Sequence, residues 1–331
     1  MWGNSVSYQP PFTVSTEAIS MIAEISALIE RYAILMEQAD ALRLRRVNKV
    51  KTIHSSLAIE GNTLTEQQVT DLLDGKRVLA PLREIQEVQN AIATYDLFPR
   101  LNPFSVSDLL KAHETMMSAL VERPGQFRTG GVGVFAETTV VHIAPPAHRV
   151  PLLMADLFDW LKNAKDHLLV RSCVFHYEFE FIHPFADGNG RMGRLWQSLI
   201  LGKLHTVFQH LPVESMVHDQ QREYYQAIGD STANGDSGAF IDFMLGAILC
   251  TLKAHKEERH PAIGGVNGAV NGGVMAVLVY IEANPGCRAN EIADALHMPL
   301  RTVQRHLGRL KGGRRIEFIG APKNGGYRVR K

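Results

Sequence analysis

The densest chemistry in this 331-residue chain lies within twelve residues, from His183 to Arg194. Residues 171–182 just before them are mostly apolar and read as a helix. Pro184 disfavours α backbone at the residue before it, so that helix ends at His183 and presents an imidazole to a loop. Gly188 and Gly190 let successive backbone N–H groups converge, and a second helix begins near Asn189. A glycine loop at a helix N-terminus is a ready anion site. Arg191 and Arg194 lie three apart on that helix and can share a face. Asp187, just before the loop, offers hard oxygen atoms to Mg²⁺. A base, a metal ligand, an anion nest and two arginines are the parts of a phosphoryl-transfer site. Each part alone is commonplace, since most histidines are surface or satisfied core residues and arginines often line solvated faces; their concentration carries the signal.

A second segment lies upstream, where Ser56, Glu60 and Gly61 read as the last turn of an amphipathic helix with Gly61 as its C-cap. A glutamate there is slightly unfavourable with the helix dipole. The elements around both segments are mainly helical. Ser15 or Thr16 caps a first helix with Glu17 in its first turn, and Ile19, Ile22, Ile25, Ile29, Ala33 and Met36 recur at helical spacing. Further helices are expected over residues 41–60, 65–73, 82–97, 106–120, 150–162, 168–182, 189–204 and 239–256. Residues 130–143, rich in Gly, Val and Thr, predict a short β-hairpin ended by Pro145 and Pro146.

Residues 259–273 carry several glycines and few anchors and read as a linker. Residues 274–331 follow as three helices and a hairpin, the pattern of a winged helix-turn-helix. From residue 271 onward there are 11 Lys and Arg against 4 Asp and Glu; the rest of the chain carries 24 against 30. A basic module on an acidic body implies separate partners. On the third of these helices Arg301, Arg305 and either Gln304 or Arg309 can line one face, with Arg314, Arg315 and Lys323 nearby. That face suits a phosphate backbone, while winged helices also serve protein docking.

Hydrophobic residues make up 45% of the chain and charged residues 21%, a globular balance. Cys173, Cys250 and Cys287 are far apart, which excludes a disulfide scaffold and argues against a cysteine zinc site. The first twelve residues lack the pattern of a secretory signal. The longest apolar stretch, residues 240–252, contains Asp242 and is too short to span a membrane. A cytoplasmic protein with no membrane partner is expected.

The segment from His183 to Arg194 resembles the signature of the Fic family, His-Pro-Phe-x-Asp/Glu-Gly-Asn-Gly-Arg-x-x-Arg, with every signature position filled. The resemblance extends over about residues 56–256 and includes the hairpin and the pair Tyr224–Tyr225. It implies a mainly α fold: a Fic-type helical bundle with a β-hairpin flap, here with a small C-terminal winged-helix domain. An N-terminal helical region would span residues 1–100 and the catalytic core residues 101–258.

Most Fic proteins transfer AMP from ATP to a hydroxyl of a protein. The resemblance makes His183 the general base, since an ordinary histidine pKa of about 6.5 leaves the imidazole basic near neutral pH. Asp187 would hold Mg²⁺; Gly188, Asn189, Gly190, Met192, Gly193 and Arg194 would form the nucleotide site, with Arg194 on the terminal phosphates. Arg191 would either touch phosphate or form a buried ion pair, and Phe185 would point into the core. Tyr225 would lie near the nucleotide, with Asn234 a weaker candidate. The hairpin at residues 130–143 would align a protein substrate's hydroxyl by strand pairing. Many members self-associate, so a homo-oligomer is a further expectation.

Ser56, Glu60 and Gly61 also match the family's inhibitory motif, placed before the catalytic signature. By that likeness Glu60 would pair bidentately with Arg194 and occupy the guanidinium that the γ-phosphate needs. Two alternatives to an autoinhibited adenylyltransferase stand beside it: a DNA-binding regulator whose nucleotide domain is a sensor, and an enzyme that removes AMP with Glu60 positioning a water. An intact His183 speaks against a pure sensor.

Overall fold

The computed structural model describes residues 8–36, 41–131, 133–136, 139–257, 277–278, 280–282, 284–296, 298–312, 315–319 and 325–329. They belong to two compact units, residues 1–260 and 261–331. The expected linker at 259–273 lies outside the described residues, as do Arg314 and Lys323.

In the first unit, the Ser15 hydroxyl accepts from the Ala18 N–H at 2.9 Å and starts α1 (Thr16–Met36), which packs along the last helix, α11 (Gly238–Glu257). Between them come α2 (Ala41–Ile59), α3 (Glu66–Leu73), α4 (Leu82–Leu97) and α5 (Val106–Met116). Strands β1 (Gly133–Ala136) and β2 (Thr139–Ile143) then pair antiparallel with an irregularity between Val134 and Phe135, as the expected hairpin. The rest are α6 (Val150–Asn163), α7 (Leu168–Ile182), α8 (Asn189–Leu201), α9 (Val213–Asp219) and α10 (Gln221–Asn234).

Helix α7 is buried along nearly its whole length and packs against α8, with Phe158, Phe175, Phe179 and Trp196 in the surrounding aromatic core. A helix apolar all round belongs at the centre of a bundle. The second half of α2 departs from the amphipathic expectation: Thr52, Ile53, Ser55, Ser56, Leu57 and Ile59 are all buried. The reason is that α9 covers one side of α2 while α3 and α4 cover others. Helix α5 stops at Met116, short of the expected residue 120, where Ala119 takes a positive φ of 60°. Among the described residues no helix is long and apolar enough to cross a membrane.

In the second unit, residues 277–278 and 280–282 are helical, followed by α12 (Ala289–Ala295), α13 (Leu300–Gly312) and the antiparallel pair β3 (Ile316–Ile319) and β4 (Gly326–Val329). Val277, Ile281, Ile292, Val303, Leu307 and Ile316 form its core. The fold is therefore mainly α with two small hairpins, the second completing a winged helix.

Candidate active site

Helix α7 ends at Ile182, and His183 takes left-handed backbone (φ 49°, ψ 63°), which turns the chain out of the helix axis. Its N–H still donates to Phe179 O at 2.9 Å. Positive φ in a non-glycine residue costs free energy that the surroundings must supply. The His183 side chain is 20% exposed, and its Nδ1 lies 3.9 Å from Glu180 Oε2.

The loop from His183 to Asn189 is held from inside. Asn189 Oδ1 accepts from the Phe185 N–H at 2.9 Å, and Asn189 Nδ2 donates to Phe185 O at 3.0 Å. The Asn189 amide is thus committed to loop geometry, and only its backbone N–H is left to face an anion. Phe185 is fully buried and stacks on His113, ring centroids 3.6 Å apart. His113 Nδ1 accepts from the Gly125 N–H at 2.9 Å, so Nε2 carries the proton that it donates to Asp187 O at 3.0 Å. Burial pushes the His113 pKa down to about 4, so the ring is neutral.

Gly188 starts α8 with φ 85°, and a Cβ there would lie 2.6 Å from Met117 Sδ. Only glycine meets both demands. The first N–H groups of α8 have no helical acceptor and make the anion nest. Asp187 Oδ1 accepts from the Gly188 N–H at 2.6 Å and from Arg191 Nη2 at 3.2 Å; Oδ2 is 3.6 Å from Arg83 Nη2. Arg191 is buried and also lies 3.8 Å from Glu87 Oε1, so its guanidinium stands between two carboxylates. Asp187 remains 42% exposed, and no group of three or more His, Cys, Asp or Glu residues could cage a metal among the described residues. A single accessible carboxylate fits Mg²⁺, which completes its octahedron with substrate phosphates and waters.

Arg194, one turn further along α8, is buried and meets the end of α2. Its Nη2 donates to Glu60 Oε1 at 2.7 Å and to Ser56 O at 2.9 Å, and its Nε donates to Ser56 Oγ at 3.2 Å. The pair is therefore single-pronged rather than bidentate, with Nη2 shared between Glu60 and Ser56 O. Burial works against the guanidinium's charge, and Glu60, Tyr224 and Glu180 together more than offset it, raising the Arg194 pKa. A Cβ at Gly190 would collide with Glu60 Oε1, so the carboxylate fills the space above the first turn of α8. The end of α2 is closed by Gly61 at φ 90°, with Gly61 N–H to Ala58 O at 3.0 Å and Asn62 N–H to Leu57 O at 3.1 Å. These two bonds are the Schellman pattern.

Met192 and Gly193 do not line the nest. Met192 is fully buried and its N–H donates to Gly188 O at 3.0 Å, while a Cβ at Gly193 would lie 2.7 Å from Glu180 Oε1. Steps of about 100° per residue turn 192 and 193 toward the core while 190 and 194 face Glu60. Tyr225 is half-buried within electrostatic reach of Glu60 and Arg194, and burial, then Glu60, raise its pKa. Tyr224 is buried and its hydroxyl bonds His176 Nε2 at 3.1 Å. Asn234 is exposed at the last position of α10. Among the buried carboxyls that escaped the sequence reading, Glu180 and Glu214 lie within electrostatic reach of Arg194. Burial pushes Glu180 up to about 8 and Glu214 up to about 7, with Arg194 opposing both shifts.

A model described as the Fic/DOC family matches residues 103–201, and one described as a winged helix-turn-helix, DNA-binding, matches residues 275–311. The protein adenylyltransferase fic-1 of Caenorhabditis briggsae is 29% identical over 238 residues, 68% of this chain and 44% of that protein. The protein adenylyltransferase Fic of Drosophila mojavensis is 28% identical over 273 residues, 75% of this chain and 52% of that one. The chain thus spans about half the length of these curated relatives. A solved Fic-1 structure from C. elegans, 22% identical with TM-score 0.62 over 72% of each chain, shares the fold. A solved structure of a Fic family protein from Desulfovibrio desulfuricans G20 is 44% identical, covers 98% of both chains and gives a TM-score of 0.75. With that likeness running from end to end, the chain belongs to the Fic family.

Proposed function

We propose that the chain is a protein adenylyltransferase restrained by its own Glu60. The supporting observation is that one rigid loop joins the imidazole of His183 to the N-terminus of α8, with the Arg194 guanidinium one turn on. The acceptor hydroxyl of a Ser, Thr or Tyr gives its proton to His183 as its oxygen bonds to the α-phosphorus. The bond from that phosphorus to the β-bridging oxygen breaks, and pyrophosphate leaves. Charge gathering on the α-phosphate oxygens meets the N–H groups of the first turn of α8. Asp187 is the residue that would hold Mg²⁺, which neutralises the triphosphate when bound. Arg194 binds the terminal phosphate only when Glu60 yields it. The edge of the hairpin β1–β2 offers a target segment a strand to pair with.

Two further readings have a specific observation each. Only Oε1 of Glu60 engages Arg194, so Oε2 can hold a water for the removal of AMP. In the second unit Arg301, Gln304, Arg305 and Lys311 are exposed on α13, a face that suits DNA.

The deciding experiment incubates the protein and its His183→Ala variant with cell lysate and ATP labelled on either the α- or the γ-phosphate. Label from the α-position that depends on His183 is the expected result. Label from the γ-position alone would mean phosphate transfer and overturn the reading.

A further inference from the structure

We propose that Arg128 is a positioning residue that holds the base and the target-aligning hairpin as one unit. The inference rests on the adenylyl-transfer reading above. Arg128 is 5% exposed, and no carboxylate of the described residues pairs with it. Its guanidinium instead donates to four backbone carbonyls: Nε to His183 O at 2.7 Å, Nη1 to Gly130 O at 2.9 Å, and Nη2 to Pro145 O at 2.5 Å and Ile182 O at 3.2 Å. Its own N–H donates to Pro184 O at 2.9 Å.

Those acceptors fall into two groups. Ile182 and His183 close α7, where the last carbonyls lack helical partners and the dipole favours a cation. Gly130 precedes β1 and Pro145 follows β2, so they are the two feet of the hairpin. One planar fork therefore fixes the hairpin's feet to the residue whose imidazole receives the proton. The left-handed backbone of His183 needs such support, and Arg128 supplies it at the carbonyl while Phe179 O holds the N–H. A lysine, with one compact ammonium, cannot reproduce a fork that serves both groups. The nucleotide nest is held separately, by Asn189 on Phe185 and by α8 itself. Removing the fork should thus misplace base and acceptor while leaving the nest intact.

The test uses the full chain, with Glu60→Gly as parent, and adds Arg128→Lys or Arg128→Gln. Three quantities are read: the initial rate of AMP transfer from α-labelled ATP, the Kd for ATP, and hydrogen exchange along the chain. Transfer by the Arg128→Gln protein should fall on the order of 100-fold, the effect of small misplacements in a reacting pair, with Arg128→Lys between it and the parent. The Kd for ATP should stay within about threefold. Exchange should rise in residues 129–147 and 180–184 and stay unchanged in α1, α8 and α11. A rate within about threefold of the parent, or ATP affinity lost as steeply as the rate, would overturn the proposal. So would exchange that rises throughout the body or in neither segment. Should Arg128→Gln fail to fold, Arg128→Lys is judged by the same criteria. A parent that transfers no AMP refutes the adenylyl-transfer reading instead, and exchange with ATP binding then judges the clamp by itself.

Discussion

Two helix C-termini converge on the first turn of α8, and they are held in opposite ways. At the end of α7, His183 sits on a backbone fixed from both sides, with Asn189 and His113 bracing the loop behind it. At the end of α2, Glu60 closes a Schellman turn, remains 30% exposed, and reaches Arg194 through one oxygen. One end is built to stay; at the other, the partly exposed Glu60 carboxylate can swing away while the helix that carries it keeps its place. Charged groups at a site are therefore read best by what would move with them. A base must keep its geometry through turnover, whereas a blocking carboxylate need only compete.

The largest expected effect tests the fixed end. His183→Ala should lower AMP transfer by about 10²- to 10⁴-fold, the usual worth of a positioned base, with ATP affinity retained. Rapid filtration of labelled nucleotide alongside the transfer assay checks both halves; transfer at the wild-type rate would remove His183 as the base.

The movable end comes next. Glu60→Gly should raise the transfer rate roughly 10- to 150-fold, since one charge-assisted contact is worth about 1.5–3 kcal/mol and each 1.4 kcal/mol is tenfold. The double variant with Arg194→Ala should be inactive, because the group set free is then absent. A folded Glu60→Gly protein that labels no faster than wild type contradicts the restraint.

Gly188→Ala asks how rigid the junction between the two ends is. A side chain at φ 85°, pressed on the buried Met117, should cost about 1–3 kcal/mol. Thermal unfolding should show a Tm lower by several degrees; an unchanged Tm would mean that Met117 yields freely.

The last effect is a pH slope. The Glu180 pKa is raised in the folded protein to about 8 from an ordinary 4.5, so the folded state binds more protons than the unfolded one between those values. Its contribution to stability is full below pH 4.5 and is lost as pH rises toward 8. Glu180→Gln should therefore gain Tm relative to wild type as pH goes from about 5 to 8. A difference that is flat with pH would show that Glu180 is ionised in the folded protein.

Much of the site was legible because contiguous residues carry it. Pro184, Gly188 and Gly190 announce a helix end, a loop and a nest, while the pairing of Glu60 with Arg194 is implied only by the likeness of Ser56, Glu60 and Gly61 to the family's inhibitory motif. What a contiguous run hides is direction, and Met192 and Gly193 were misplaced for that reason. Arg128 and His113 belong to no motif. His113 did leave a trace, since it interrupts the apolar stripe of Leu109, Ala112 and Met116 on α5. Glu178 and Glu180 likewise interrupt an otherwise apolar α7. Arg128 left none, because its partners are backbone carbonyls, three of the four 17 or more residues away. Helix α10 went unread because its buried stripe is Tyr224, Ala227 and Ser231, too small and too polar to stand out.

The end of α2 is itself fastened, since Gln221 Nε2 donates to Ile59 O at 3.1 Å. The Glu60 carboxylate is thus carried on a stiff arm and presented to Arg194 at a local concentration that no dilution changes. Under the proposed restraint, inhibition is the same at every protein concentration, and a competing anion must outmatch a fixed threshold rather than a falling one. Diluting the enzyme cannot relieve such inhibition. Loosening the arm can, so the contact between α2 and α10 is the dial that sets how much nucleotide is needed.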